Sequence, residues 1–220
     1  MSVSLRASAE ADALAQGVRA IGVALDADAQ ARLIEYVELL AKWNRTYNLT
    51  AIREPARMVT HHVLDSLAIL PQLPDRAGLR VLDVGSGGGV PGIPLAIARP
   101  SWSVTLVDAN SKKTAFLTQA GIELRAANVR VATARVETYA PDAPFDVVVS
   151  RAFSDLADFA AGAARHVAPG GVLAAMKGVH PHEELAQLPA DLEVIGVRAV
   201  HVPGLEADRH LVLMRPRPSA

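Results

Sequence analysis

The stretch Arg80-Val81-Leu82-Asp83-Val84-Gly85-Ser86-Gly87-Gly88-Gly89-Val90-Pro91-Gly92 decides the fold of this 220-residue chain. An apolar run leads straight into a glycine loop and then into a helical pattern. Glycine lets the backbone turn sharply and approach a ligand closely, and amides at the start of the following helix point toward a polar group placed there. The order strand, glycine loop, helix therefore predicts a cradle for a nucleotide-type cofactor.

Two cofactor classes compete for such a cradle. Gly87-x-Gly89-x-x-Gly92 satisfies the dinucleotide pattern, but in that fold the first glycine follows the strand almost directly. Here that position is Gly85, and the pattern counted from it fails at Val90. Asp83 instead stands just before the loop, giving Asp-x-Gly-x-Gly-x-Gly. A carboxylate there repels a pyrophosphate but suits the cationic sulfonium and amino group of S-adenosylmethionine, directly or through water. Ser103-Val104-Thr105-Leu106-Val107-Asp108 reads as a second buried strand ending in an acid, where a ribose hydroxyl can donate to it. Asp108 is equally suited to capping the helix that begins near Ser111, and it does not choose among adenosine cofactors.

Half the residues are apolar, enough for a sizeable core, and the length fits one main domain with an extension. The absence of cysteine excludes disulfides, cysteine metal sites and cysteine nucleophiles. No charged leader or membrane-length apolar run is read, so a soluble cytoplasmic protein is expected. The net charge of −1 carries no global signature of a nucleic-acid binder. Locally, residues 42–62 carry Lys42, Arg45, Arg53 and Arg57 against Glu54 alone, which suits either an RNA contact or an ordinary solvated loop.

Residues 1–75 read as a helical extension and 76–220 as the cofactor domain. The first twenty residues are weakly helical and alanine-rich. Leu33, Val37, Leu40 and Trp43 recur at helical spacing from Ala29 to Asn44. Val59, Val63, Leu67 and Leu70 predict a second helix near 56–70, stopped by Pro71. After Gly78 strands and helices alternate, the pattern of a parallel sheet covered on both faces. Strands are expected near 80–84, 103–107, 128–133, 145–150 and 171–177, with helices near 92–99, 111–125, 154–168 and 181–188. Two last strands, near 192–202 and 208–215, follow without a helix between them and predict an antiparallel edge pair. The whole is a class I S-adenosylmethionine-dependent methyltransferase pattern, Rossmann-like α/β with seven strands.

In such a sheet ligands lie beyond the carboxyl ends of the strands. Those ends are Asp83 to Val90, Asp108, Ala134 to Glu137, Ser150 to Phe153, and Lys177, all expected to face one cleft. Arg135-Val136-Glu137 would cover an adenine, although Glu137 reads equally as a surface acid. The fourth strand ends in Ser150-Arg151-Ala152-Phe153, without the Asn/Asp-Pro-Pro-aromatic run that suits methylation of exocyclic amines. An arginine there forks onto a carboxylate, a phosphate or the N7/O6 edge of guanine, or else pairs with Asp83, Asp108 or Asp155. His61 and His62, with Lys177, Arg209 and His210, would line the mouth of the cleft. Two adjacent histidines on an α-helix diverge by about 100°, so both can face the site only if the helix is distorted. No two-histidine-plus-carboxylate set at ligand spacing is present in the sequence, so no metal is expected.

Four motifs together are similar to one family. Trp43-Asn44-x-x-x-Asn48-Leu49-Thr50, His62-x-x-Asp65-Ser66, Asp83-Val84-Gly85-Ser86-Gly87 with Val90-Pro91-Gly92-Ile93-Pro94-Leu95, and Ser150-Arg151-Ala152-Phe153 resemble the small-subunit ribosomal RNA guanine-N7 methyltransferases, RsmG or GidB, in order from about Leu33 to Arg215. The resemblance implies methyl transfer from S-adenosylmethionine, with S-adenosylhomocysteine as product, to N7 of one guanine in 16S ribosomal RNA, conventionally guanine 527 of the 530 loop. It carries cofactor roles to Gly85, Val90, Val136, Glu137 and Arg151, beside Asp83, Gly87 and Asp108 from the cradle. Val136 stands where many members have alanine. Asn48, His62, Arg135, Arg151, Lys177 and Arg209 become candidates for RNA contact or base positioning, with no general base. The expected partner is the small subunit, its RNA or an assembly intermediate, and the protein is expected to be a monomer that binds no membrane. A small-molecule methyltransferase and a non-catalytic assembly factor remain the alternatives, because a fold alone does not determine a substrate. A nicotinamide oxidoreductase is the weakest reading.

Overall fold

A computed structural model of the chain describes residues 3–151, 153 and 155–217. Ala152 of the strand-end motif, Ser154 at the start of the helix predicted near 154–168, and residues 1, 2 and 218–220 lie outside the described residues. Among the described residues, seven strands form one sheet in the order β3-β2-β1-β4-β5-β7-β6. These are β1 (Arg80–Val84), β2 (Ser103–Asp108), β3 (Val129–Thr133), β4 (Phe145–Ser150), β5 (Val167–Lys177), β6 (Leu192–Ala199) and β7 (His210–Pro216). The first five run parallel, β7 lies antiparallel beside β5, and β6 pairs antiparallel with β7 at the edge. Every expected strand is present, including the final antiparallel pair. β5 begins four residues early because Pro169-Gly170-Gly171 loops out of it, shifting the register against β4 between Phe145 and Val147.

Helices α5 (Gly92–Ala98), α6 (Ser111–Glu123), α7 (Leu156–Ala163) and α8 (His182–Ala186) connect the strands. Asp155 caps α7, accepting from the Ala157 and Asp158 amides. The helix expected to run to 168 ends at Ala163 and tightens into a 3-10 turn at Ala164–His166.

The N-terminal helices pack on one another and, through the second of them, on α5 and α6 over the sheet. α1 (Val3–Ala20) buries Leu14 and Val18, and Gly17 lets Leu64 approach so closely that a Cβ there would meet Leu64 Cδ2 at 2.6 Å. α2 (Ala27–Tyr47) is capped by Asp26 and extends past its predicted end, with Asn48 left-handed as its C-cap. Its stripe of Leu33, Tyr36, Val37 and Leu40 is buried in one cluster with Val90, Ile93 and Phe116. The second predicted helix differs in kind. α3 (Pro55–Met58) passes into a π-helical segment, Val59–Leu64, and then α4 (Asp65–Leu67). Pro71 does not end this helix but sits inside a 3-10 turn, Leu70–Gln72, which tolerates a residue without an N–H near its start. The π segment supplies the distortion that two adjacent histidines require, and His61 and His62 both line one depression.

Candidate active site

The glycine loop is held from three sides. Gly85 and Ser86 donate to Val107 O at 2.8 and 3.2 Å, and Gly87 donates to Asp108 Oδ2 at 3.0 Å. From the extension, the buried Tyr36 hydroxyl donates to Gly88 O at 2.6 Å. Gly85 adopts φ +70, which an L side chain resists. Asp108 Oδ1 accepts from Asn110 N at 2.8 Å, while Asn110 itself caps α6. Asp108 is therefore not the helix cap; it ties the loop to the end of β2. Each of its oxygens keeps a lone pair for a hydroxyl donor.

A depression of about 220 Å³ opens beside it, lined by Gly85, Asp108, Arg135, Val136, Glu137 and Phe153 among others. Phe153, expected at the cleft as part of the strand-end run Ser150 to Phe153 but not among the cofactor candidates, tilts its ring against Phe159 at 5.4 Å. Arg135 and Glu137 are exposed on its rim, and Val136 is buried beneath it, where its carbonyl accepts from His166 at 2.9 Å. Gly87 and Val90 lie in and under the loop, outside this lining.

Asp83, fully buried, lies below the loop. Its Oδ2 accepts from Gly92 N at 3.0 Å, and among the described residues Oδ1 has no hydrogen-bond partner. Burial pushes its carboxyl up to about 7; the Gly92 amide, the Ser86 hydroxyl and Arg151 pull it back and Asp108 adds to the rise. Gly92 is what permits the contact, because a Cβ there would collide with Leu106 and stand 2.7 Å from Asp83 Oδ2. A buried acceptor without a donor is unfavourable by itself, and it suits the amino or sulfonium end of a cationic ligand or a bridging water. The residues fit S-adenosylmethionine in this respect: a cation-seeking carboxylate at one end and an acid with spare lone pairs at the other.

The strand ends do not all face one cleft. Arg151 turns away from Asp83, Asp108 and Asp155 toward the extension, into a second depression of about 340 Å³ lined by Ile52, His61, His62, Asp65, Arg151, Met176, Lys177, Gly178 and Arg209. Its Nη1 donates to His61 O at 2.8 Å and Asp65 Oδ2 at 3.2 Å, and its Nη2 meets His62 Nδ1 at 3.1 Å. Asp65 Oδ1 also accepts from Arg209 Nε at 2.8 Å. Lys177 pairs with Glu184 at 2.7 Å. His62 is buried and its pKa falls to about 4, by desolvation first and then by the Arg151 charge, so it is neutral near pH 7. His210 lies outside this lining, its Nδ1 2.8 Å from Gly178 O.

Asn48 is exposed at the end of α2, its backbone N–H bonded to Asn44 O, and is not among the residues lining either depression. The buried Asn44 organises the next loop, donating to Ile52 O at 3.1 Å and accepting from Thr50 N at 2.9 Å. Its signal in the sequence is a polar residue continuing the stripe Leu33, Val37, Leu40. Among the described residues no group of three or more His, Cys, Asp or Glu side chains is placed to hold a metal ion, and no helix is long and apolar enough to cross a membrane.

Comparison with known proteins agrees with this geometry. Residues 29–212 match the family model GidB, described as rRNA small subunit methyltransferase G. A protein named ribosomal RNA small subunit methyltransferase G from Laribacter hongkongensis is 57% identical over 90% of this chain and 95% of its own length. One of the same name from Pseudomonas aeruginosa is 54% identical over 93% of this chain and 95% of its own. Among solved structures, TrmN from Thermus thermophilus superposes with a TM-score of 0.54 at 21% identity, covering 69% of this chain and 48% of that one, a likeness of fold.

Proposed function

The chain belongs to the rRNA small subunit methyltransferase G family, and from that premise we propose that it methylates N7 of a guanine in 16S ribosomal RNA, conventionally guanine 527 of the 530 loop. When bound, S-adenosylmethionine supplies an electrophilic methyl group on a cationic sulfur and leaves as S-adenosylhomocysteine. Asp83 and the glycine loop would hold the cationic end, Asp108 the ribose, and Val136, Glu137 and Phe153 the adenine.

One observation carries the choice of N7: the depression lined by Arg151, Lys177 and Arg209 is rich in hydrogen-bond donors, and its buried histidine and carboxylate are both already engaged by protein groups. His62 is neutral and already engaged by Thr50 Oγ1 at 2.8 Å and by Arg151. Guanine N7 has an in-plane lone pair and no proton, so its methylation needs no base. It needs N7 placed in line with the methyl group, a contribution of proximity and orientation. That lone pair must stay uncovered, so an arginine fork across N7 and O6 would block the reaction. Both Nη atoms of Arg151 are engaged by His61, Asp65 and His62, which makes Arg151 a fixed wall rather than a clamp free to close on the base. Arg209 and Lys177 are placed to donate to O6 or a phosphate. Because side chains do not reach N7 in regular A-form RNA, the target guanine is unpaired or extruded.

Arg135, Asn48 and the basic residues Lys42, Arg45, Arg53 and Arg57 are exposed and suit RNA backbone contact. We read residues 1–75 as the extension that completes the RNA side and 76–220 as the methyltransferase domain, acting as a monomer in the cytoplasm.

The test is methyl transfer from labelled S-adenosylmethionine to small subunits lacking the modification, with 7-methylguanine mapped by its alkali-sensitive cleavage. One labelled guanine in the 530 loop is expected. Labelling elsewhere, or none on subunits, precursors and naked RNA despite cofactor binding, would overturn the proposal.

A further inference from the structure

Asp65 opens α4 directly after the π segment and is 3% exposed. Each of its oxygens takes a different arginine: Oδ2 meets Arg151 Nη1 at 3.2 Å and Oδ1 meets Arg209 Nε at 2.8 Å. The two arginines come from the end of β4 and the loop before β7, 86 and 144 residues away in sequence. No substrate group is needed to explain this convergence, yet both guanidiniums line the depression assigned above to the target guanine.

We propose, on the premise of that assignment, that Asp65 is a positioning residue of the methyl-transfer site, holding Arg151 and Arg209 as a fixed pair before RNA arrives. Two guanidiniums brought into one recess repel each other, and a carboxylate between them offsets that repulsion. Free arginine side chains lose rotamer freedom when they bind a ligand; arginines already fixed by Asp65 do not pay that entropy again on binding. The pairing also directs donors. Arg151 has both Nη atoms on protein groups, whereas Arg209 uses Nε on Asp65 and Nη1 on Asp208 O at 2.8 Å. Among the described residues Arg209 Nη2 has no protein partner, and a single donor so placed can take guanine O6 or a phosphate while leaving N7 open. Asp65 acts through these arginines and touches neither reacting atom.

Asp65→Asn tests this in the full-length enzyme. The amide keeps the shape but presents one acceptor and one donor, so one arginine loses its anchor whichever way the amide turns. The expected result is a KM for unmodified small subunits raised about tenfold or more, with S-adenosylmethionine affinity nearly unchanged. In an Arg151→Gln/Arg209→Gln background the same substitution should change KM no further, because the groups it acts through are gone. A wild-type KM in Asp65→Asn, an equal loss of cofactor affinity, or a further KM increase in the double-arginine background would each overturn the proposal. If Asp65→Asn does not fold, Asp65→Glu moves the charge by one methylene and is read the same way. A wild-type enzyme that methylates no ribosomal RNA would instead overturn the activity; an active wild type with an unaffected Asp65 variant overturns only this inference.

Discussion

His62 Nδ1 lies 3.1 Å from Arg151 Nη2 and 2.9 Å from His61 O, and its Nε2 lies 2.8 Å from Thr50 Oγ1, so the buried ring, neutral near pH 7, joins Arg151 to the π segment and to the loop after α2. His62 is thus a neutral support for Arg151 and not a cation for RNA phosphate.

This has a consequence for stability against pH. His62 is lowered from 6.5 to about 4, so the stability it contributes is present above pH 6.5 and is lost as pH falls toward 4, by up to about 3 kcal/mol. Asp83 has the opposite sign: raised from 3.8 to about 7, its contribution is present below 3.8 and lost as pH rises through 7. The two slopes oppose each other over most of that range. Urea unfolding is expected to show a shallow dependence for the wild type, Asp83→Asn losing stability toward acid, and His62→Gln losing it toward neutrality. Parallel slopes in the two variants would refute the assignment.

The same carboxyl predicts a proton released on cofactor binding. With Asp83 at about 7 in the free protein, a cationic ligand beside Oδ1 favours the ionised form, so affinity rises with pH from about 6 to 8. Calorimetry of S-adenosylmethionine binding in buffers of different ionisation heat should show fractional proton release in the wild type and none in Asp83→Asn. Absence of release in the wild type would place the cation elsewhere.

Gly92→Ala should damage both fold and cofactor binding. Its Cβ would collide with Leu106 and Asp83, and relieving that overlap should lower stability by about 1–3 kcal/mol. Isothermal titration is expected to show at least tenfold weaker S-adenosylmethionine binding, because the displaced carboxylate is the one facing the ligand. Unchanged affinity would show that Asp83 has no part in binding.

Tyr36→Phe removes the only side-chain anchor that α2 gives the glycine loop among the described residues. Gly88 O then loses a 2.6 Å bond, with an expected cost of about 1–2 kcal/mol in thermal or denaturant unfolding and a few-fold weaker cofactor binding. A variant as stable and as tight-binding as wild type would mean that the extension does not steady the loop.

The sheet was legible in detail because its signals are local. Strand 80–84 and strand 145–150 stand where the apolar runs place them, and Asp83 at the end of β1 was recognisable from its position before Gly85. The extension was less legible. Val59, Val63 and Leu67 have helical spacing, but the segment between α3 and α4 is π-helical and packs against α1 where Leu64 meets Gly17, a contact distant in sequence. Asn48 is a candidate for RNA contact by the family resemblance, and an asparagine just past a periodic apolar run is also the signature of a helix cap, the place the structure gives it. Asp65 was quoted within a motif and given no role, since nothing around it in sequence reveals two arginines coming to it.

By itself, then, the sequence determined the alternation of strand and helix, the glycine cradle, the final antiparallel pair and the family resemblance, all of which rest on periodicity and on residues a few positions apart. Only the tertiary structure decided which charges meet. Arg151 had three nearby acids as candidates and took Asp65 instead, because the sheet order sets β4 and β7 on either side of β5 and the extension's π segment delivers a buried carboxylate to both strand ends. Side-chain pairing across 86 and 144 residues depends on where the chain is brought back together, and that is a property of packing rather than of local pattern.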